Sequence, residues 1–223
     1  MEKLIIRIYL LLCILLYPLI FFAKYFNYEF LEKIFVPLFV TLVFVFNIWL
    51  NPPKKGNNLF LFLAFICVCA GDFIINLTNW GGWFIVPFIL VHISLIIYFS
   101  KEKKWMKRDA VLLIPILLIN IVLIFLLKPF IGDASRLLLL TTYLLILSTM
   151  LWRAICFAES KAFITNKILI IGGAFLFFIT DVCVASNILL NTKILVAITW
   201  ICYVPALVML SMMNYSFRSK FSN

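Results

Sequence analysis

"NLFLFLAFICVCAGDFIINL", Asn58 to Leu77, is a run of mostly apolar side chains with an aspartate, Asp72, deep inside it. A helix rises about 1.5 Å per residue, so about 20 residues cross the ~30 Å hydrocarbon core of a bilayer. The run has the length and the apolarity of a transmembrane span. An aspartate near the centre of such a span costs about 2.5–3.5 kcal/mol on insertion scales. About a hundred residues later "GGAFLFFITDVCVASN", Gly172 to Asn187, repeats the pattern with Asp181. A chain that carries this cost twice requires one explanation for both residues.

The rest of the chain fits the reading of the run. Of 223 residues, 66% are hydrophobic and 13% charged, against about 45–50% and about 25% in soluble domains. The composition is that of an all-α, polytopic membrane protein, a single transmembrane helical domain over residues 1–223. The 24 phenylalanines suit lipid-facing surface. The formal charge of +10 comes from basic residues that flank apolar runs, with no basic domain outside the bilayer, so nucleic acid is not expected as a partner. The cysteines Cys13, Cys67, Cys69, Cys156, Cys183 and Cys202 all lie in or beside apolar segments, which suits packing rather than a disulfide framework. The N-terminal apolar run is longer than a signal-peptide core and no small-residue cleavage site follows, so it is expected to be a retained span.

Eight spans are expected, at 4–23, 32–50, 58–77, 83–100, 110–127, 135–157, 166–189 and 193–214. "NPPKKGNN" (51–58), a tight turn at "NWGG" (79–82), the basic loop "KEKKWMKRD" (101–109), "KPFIGD" (128–133) and "AESKAFITNK" (158–167) separate them. With eight spans, fourteen lysines and arginines fall on the side of the termini, against Lys24, Lys33, Lys128, Arg136 and Lys193 on the other. That bias places both termini in the cytoplasm. The expected location is a bacterial cytoplasmic (inner) membrane.

The third and seventh spans then run outward. Asp72 and Asp181 lie 14 and 15 residues from their assumed starts, hence roughly 21–23 Å above the cytoplasmic boundary. His92, the only histidine, lies about 13 Å below the outer boundary on the inward-running fourth span. Tyr143 and Tyr203 reach comparable depths, and Asn76 stacks four residues after Asp72 on the same face. One polar layer in the outer half can thus draw on five segments. The same residues also admit a structural reading. Buried aspartates can act as interhelical hydrogen-bond glue, as Asn47, Asn76, Asn120 and Ser148 can more mildly, a lone histidine is often a satisfied core residue, and tyrosines pack. Gly172 and Gly173 suit close helix approach.

One histidine excludes a three-histidine zinc site, and neither a G-x-S-x-G elbow nor a phosphate-cradling glycine loop occurs. Two carboxylates and one imidazole form a donor set that suits some metals, but no metal and no cofactor is assigned.

Several ordered stretches resemble the lysoplasmalogenase (YhhN-type) family of eight-span membrane proteins. "GDFI" (Gly71–Ile74) is similar to its Gly-Asp motif in the third span. "FILVHISLIIYF" (Phe88–Phe99) resembles the next segment, with a histidine in mid-span. "YLLILSTMLWRA" (Tyr143–Ala154) has a similar Tyr, Met and Ala spacing. "GGAFLFFITDVCVASN" resembles the Gly-Ala…Phe…Ser-Asp signature, with Thr180 in place of serine, and Tyr203 falls where a final-span tyrosine is expected. Two departures stand out: "VPL" (Val36–Leu38) replaces a frequent Lys-Pro-Leu, with Lys33 three residues earlier, and no glutamine follows Tyr203.

The resemblance implies hydrolysis of the vinyl ether bond of lysoplasmalogens, giving a fatty aldehyde and a glycerophospho-alcohol (glycerophosphoethanolamine or glycerophosphocholine). Vinyl ethers hydrolyse by protonation at the enol carbon, which leaves an oxocarbenium ion for water. The catalytic pair expected for that chemistry is Asp72 and Asp181, with acid and base unassigned. His92, Tyr143, Tyr203, Asn76 and Thr180 are the expected supporting or substrate-binding residues. The expected partners are the lysophospholipid substrate and membrane lipids, with no obligatory protein partner. The alternative reading is a proton- or cation-coupled small-molecule transporter that uses the same aspartates; a scaffold with polar glue is a third.

Overall fold

The computed structural model describes residues 2–54, 56, 58–78, 85–103, 106, 109–161 and 163–215. Among the described residues eight α-helices follow one another: α1 (Glu2–Phe26), α2 (Glu29–Leu50), α3 (Asn58–Leu77), α4 (Ile85–Glu102), α5 (Asp109–Leu127), α6 (Ala134–Glu159), α7 (Ile164–Leu190) and α8 (Lys193–Met212). Seven are long and apolar enough to cross a membrane, and α4, described from Ile85, is a shorter apolar helix. The helices coincide with the eight expected spans. The turn expected at 79–82, the first residues of the fourth span and most of the basic loop after Lys103 lie outside the described residues. The interruption expected at 158–167 is shorter than its polarity suggested. α6 continues to Glu159 and α7 resumes at Ile164.

The breaks have local causes. Asn27 and Asn191 take left-handed backbone at φ 57° and 47°, a conformation that asparagine tolerates better than most residues and that ends a helix. A 3-10 turn, Lys128–Phe130, closes the chain after α5. Asp133 then caps α6, accepting from the backbone N–H of Ser135 at 2.5 Å and of Arg136 at 3.2 Å.

Chain order is not spatial order. α1 packs on α2, α2 on α3, α3 on α4, α4 on α6, α6 on α7, α7 on α8, and α8 returns to α1. Seven helices thus close a ring, and α5 packs outside it against α6. α5 is apolar all round, and its mid-span tether is one polar cluster: Ser148 Oγ donates to Asn120 Oδ1 at 2.9 Å and Asn120 Nδ2 to the Leu144 carbonyl at 3.3 Å. Lipid tails are as apolar as leucine, so helix association in a bilayer relies on close packing and such bonds rather than on the hydrophobic effect. Gly173 illustrates the packing. A Cβ there would lie 2.9 Å from Leu210 Cγ and 3.2 Å from the Leu210 backbone nitrogen. Gly172 likewise faces Met209, so the expectation of close approach at this glycine pair holds on the α7–α8 seam.

The two ends of the bundle differ. At the basic end, Tyr9 bonds Ser211 at 2.9 Å, Asn166 Nδ2 donates to the Met213 carbonyl at 2.7 Å, and Asn214 Nδ2 donates to Tyr98 at 2.7 Å. Beside this polar seal, Lys103 pairs with Glu159 at 3.1 Å and Asp109 at 3.4 Å, while Arg153 donates to the Lys103 carbonyl at 2.6 Å. The opposite end, where α3 and α7 finish and α6 begins, holds a cavity.

Candidate functional site within the helix ring

Asp72 and Asp181 line one cavity of about 560 Å³ walled by α3, α4, α6, α7 and α8. Both are buried, with 3% and 5% of their surface exposed. The shared level expected from counting helix rise is therefore met. Tyr143 and Tyr203 complete the polar floor, and the walls above it are mainly aliphatic and aromatic. Gly71 helps shape that wall, because it lets the Phe88 ring lie where a Cβ would be 2.8 Å away.

The two carboxylates have different neighbours. Asp181 Oδ2 lies 2.6 Å from His92 Nε2 and accepts the Tyr143 hydroxyl at 2.9 Å. Tyr143 and His92 are themselves 3.4 Å apart, so α7, α4 and α6 meet at one oxygen. Asp72 Oδ2 accepts the Tyr203 hydroxyl from α8. Each carboxylate thus has its own tyrosine, and His92 belongs to Asp181 alone.

His92 is fully buried and is not part of the cavity wall. It stands behind Asp181 and cannot meet a ligand's headgroup directly. Its Nδ1 is buried with no hydrogen-bond partner among the described residues. A proton on Nδ1 would be left unpaired, so the neutral ring places its proton on Nε2, facing Asp181.

Asn76 and Thr180 reach the cavity, but through bonds to their own helices. Asn76 Nδ2 donates to the Asp72 carbonyl at 2.7 Å, and Thr180 Oγ1 to the Leu176 carbonyl at 2.9 Å. The Asn76 oxygen accepts from Lys24 Nζ at 2.7 Å. Lys24 also pairs with Glu32 at 2.7 Å and lies 5.1 Å from the Trp200 ring centroid. Both Asn76 and Trp200 line the cavity.

Lys24 was not among the residues expected at the site; "FFAKYF" reads as the basic end of an apolar run. Its level on α1, beside that of Asn76, was the available signal. Lys33 lies at the surface, paired with Glu29 at 3.6 Å, and Val36 is buried. The cation that approaches this layer therefore comes from α1 and not from α2. Arg136, Thr199 and Trp200 are further lining residues that sequence reasoning did not single out. Among the described residues no group of three or more His, Cys, Asp or Glu side chains converges as metal ligands would.

No curated protein and no solved structure matches the chain. A family model does, over residues 28–213, a stretch that holds every polar group of the cavity floor. The chain belongs to the YhhN family, which is the lysoplasmalogenase family.

Proposed function

We propose that this protein hydrolyses the vinyl ether bond of lysoplasmalogens, with Asp72 as proton donor and Asp181 as the carboxylate that activates water. The observation that carries this reading is the unequal pair. Two buried carboxylates share one cavity, and among the described residues only one of them has a second donor on its oxygen.

Two carboxylates in one low-dielectric site divide acid and base roles according to their surroundings. Asp181 Oδ2 takes two donors, His92 and Tyr143, an arrangement that suits a carboxylate kept as the anion. Among the described residues Asp72 has the single donor Tyr203 on Oδ2, which leaves its other oxygen to carry the proton in this scheme. In the first step Asp72 protonates the enol carbon and the vinyl ether becomes an oxocarbenium ion, stabilised by the anionic Asp181. Water then adds to the cationic carbon and gives a proton to Asp181. The hemiacetal collapses as its hydroxyl proton goes to Asp72 and Asp181 protonates the departing glycerol oxygen. Aldehyde and glycerophospho-alcohol leave, and both carboxyl groups regain their starting states. Glycosidases divide labour similarly around an oxocarbenium-like transition state.

The apolar walls suit the alkenyl chain. Transport, the other use of intramembrane aspartates, commonly relies on broken helices, whereas α3 and α7 run unbroken past Asp72 and Asp181. The test is aldehyde release from 1-alkenyl lysophospholipid by purified Asp72→Asn and Asp181→Asn proteins. Each is expected to lose activity by about 10²–10⁴-fold, the usual range for a general acid or base. Wild-type rates in either variant would sink the pair.

A further inference from the structure

Among the described residues Arg136 is the only lysine or arginine that lines the cavity. It lies two turns before Tyr143 on α6, at the mouth. Seven residues of helix separate the two by about 10 Å. Leu139 and Leu140 line the interval on α6, and Lys24, which approaches the floor from α1, is already held by Glu32 and Asn76.

We propose that Arg136 anchors the phosphodiester of a lysophospholipid whose chain occupies this cavity, and so sets the depth at which the ether bond meets Asp72 and Asp181. The proposal rests on the ether-hydrolase reading for the identity of the bond at the floor. In such a lipid seven bonds lead from the enol carbon through the ether oxygen and glycerol to phosphorus. Extended, they span roughly 8 Å, at the ~1.2 Å per bond of an extended chain. That length falls about 2 Å short of the rise from Tyr143 to Arg136, a gap within reach of the long arginine side chain. A phosphate held at the mouth therefore places the enol carbon beside the tyrosine that bonds Asp181.

The guanidinium is equipped for the task. Its planar fork matches two phosphate oxygens at once. Its ion pair with Asp133 runs through Nε at 3.5 Å, and among the described residues neither terminal nitrogen makes a hydrogen bond. The other oxygen of Asp133 is committed to the backbone N–H of Ser135 and Arg136. The residue that pairs with Arg136 thus also fixes the helical turn from which it projects. An arginine serving only as an interfacial anchor to bulk lipid needs no such spacing from the cavity floor.

The test is calorimetric binding to purified protein, with three probes. One is a saturated 1-alkyl lysophosphatidylethanolamine, which cannot be hydrolysed. The second is the 1-alkylglycerol of the same chain, and the third is inorganic phosphate. Wild-type protein is expected to prefer the phospholipid over the alkylglycerol by tenfold or more and to show no binding of free phosphate at millimolar concentration. Arg136→Gln is expected to lose most of that preference with alkylglycerol binding unchanged, and Arg136→Lys to recover part of it. An unchanged preference in Arg136→Gln overturns the anchor and assigns Arg136 to bulk lipid. Failure of wild-type protein to prefer the phospholipid, or free phosphate binding as tightly as the lipid, also overturns it. Because the alkyl probe does not react, a retained preference in a protein that hydrolyses no vinyl ether would sink the catalytic reading alone.

Discussion

His92 Nε2 lies 2.6 Å from Asp181 Oδ2, inside a helix ring where both side chains are buried. The contact breaks the symmetry of the two aspartates. If His92 holds Asp181 as the working anion, His92→Leu leaves that oxygen with Tyr143 as its one donor. The expected result is a fall in kcat of about 10–100-fold with a smaller change in KM, because His92 stands behind the carboxylate and touches no substrate. Steady-state rates of aldehyde release check it.

The two tyrosines divide along the same line. Tyr203→Phe removes the one hydroxyl on Asp72, while Tyr143→Phe leaves Asp181 its histidine. Tyr203→Phe is expected to slow hydrolysis more than Tyr143→Phe, and Tyr143→Phe combined with His92→Leu to lose more than the two single changes sum to. A double-mutant cycle on kcat measures that coupling.

Lys24 holds Asn76, and Asn76 holds the backbone carbonyl of Asp72. Lys24→Met leaves Glu32 without its 2.7 Å partner in a largely buried setting. The expected loss is about 1–3 kcal/mol of stability, most of it restored by adding Glu32→Gln. Thermal unfolding in detergent of the single and double variants reads this directly.

Gly173 sits where Leu210 crowds any side chain, with its Cγ 2.9 Å and its backbone nitrogen 3.2 Å from where a Cβ would be. Gly173→Val forces α7 from α8, which carry Asp181 and Tyr203. A destabilisation of about 1–3 kcal/mol is expected, with lost activity. Gly71→Ala meets only the edge of the Phe88 ring, which can turn aside, so a milder loss is expected from the same two measurements.

Asp133 lies outside the spans, and the Ser135 backbone N–H, the Ser135 side chain and the Arg136 backbone N–H hold its carboxyl below the usual carboxylate range. A folded-state value below the unfolded one stabilises the fold above about pH 4, and that contribution is lost as pH falls through the folded value. Asp133→Asn keeps a competent cap without the charge. Its melting temperature is expected to fall less than that of wild-type protein on acidification below about pH 4.

The spans were legible because each hydrophobic run reports its own length, and the depth of Asp72 and Asp181 followed from counting helix rise. The order of helices around the ring was not legible. α5 has the most uniformly apolar run and nothing in it says that it packs outside, chiefly against α6; the bonds of Asn120 to Ser148 and Leu144, and of Trp152 to the Asp109 carbonyl, show where it belongs. Depth also left open which carboxylate His92 meets, since that depends on the rotation of α4 about its axis. Lys24 escaped notice because a lysine that ends an apolar run looks like any interfacial cation until Glu32 and Asn76 are placed around it.

The most direct single measurement is hydrolysis of a 1-alkenyl lysophospholipid by the purified wild-type protein in D₂O, with mass spectrometry of the aldehyde. Proton delivery to the enol carbon is expected to yield aldehyde with one deuterium on the carbon next to the carbonyl. Folded protein that releases no aldehyde, or aldehyde without that deuterium, would contradict the proposed hydrolysis at Asp72 and Asp181.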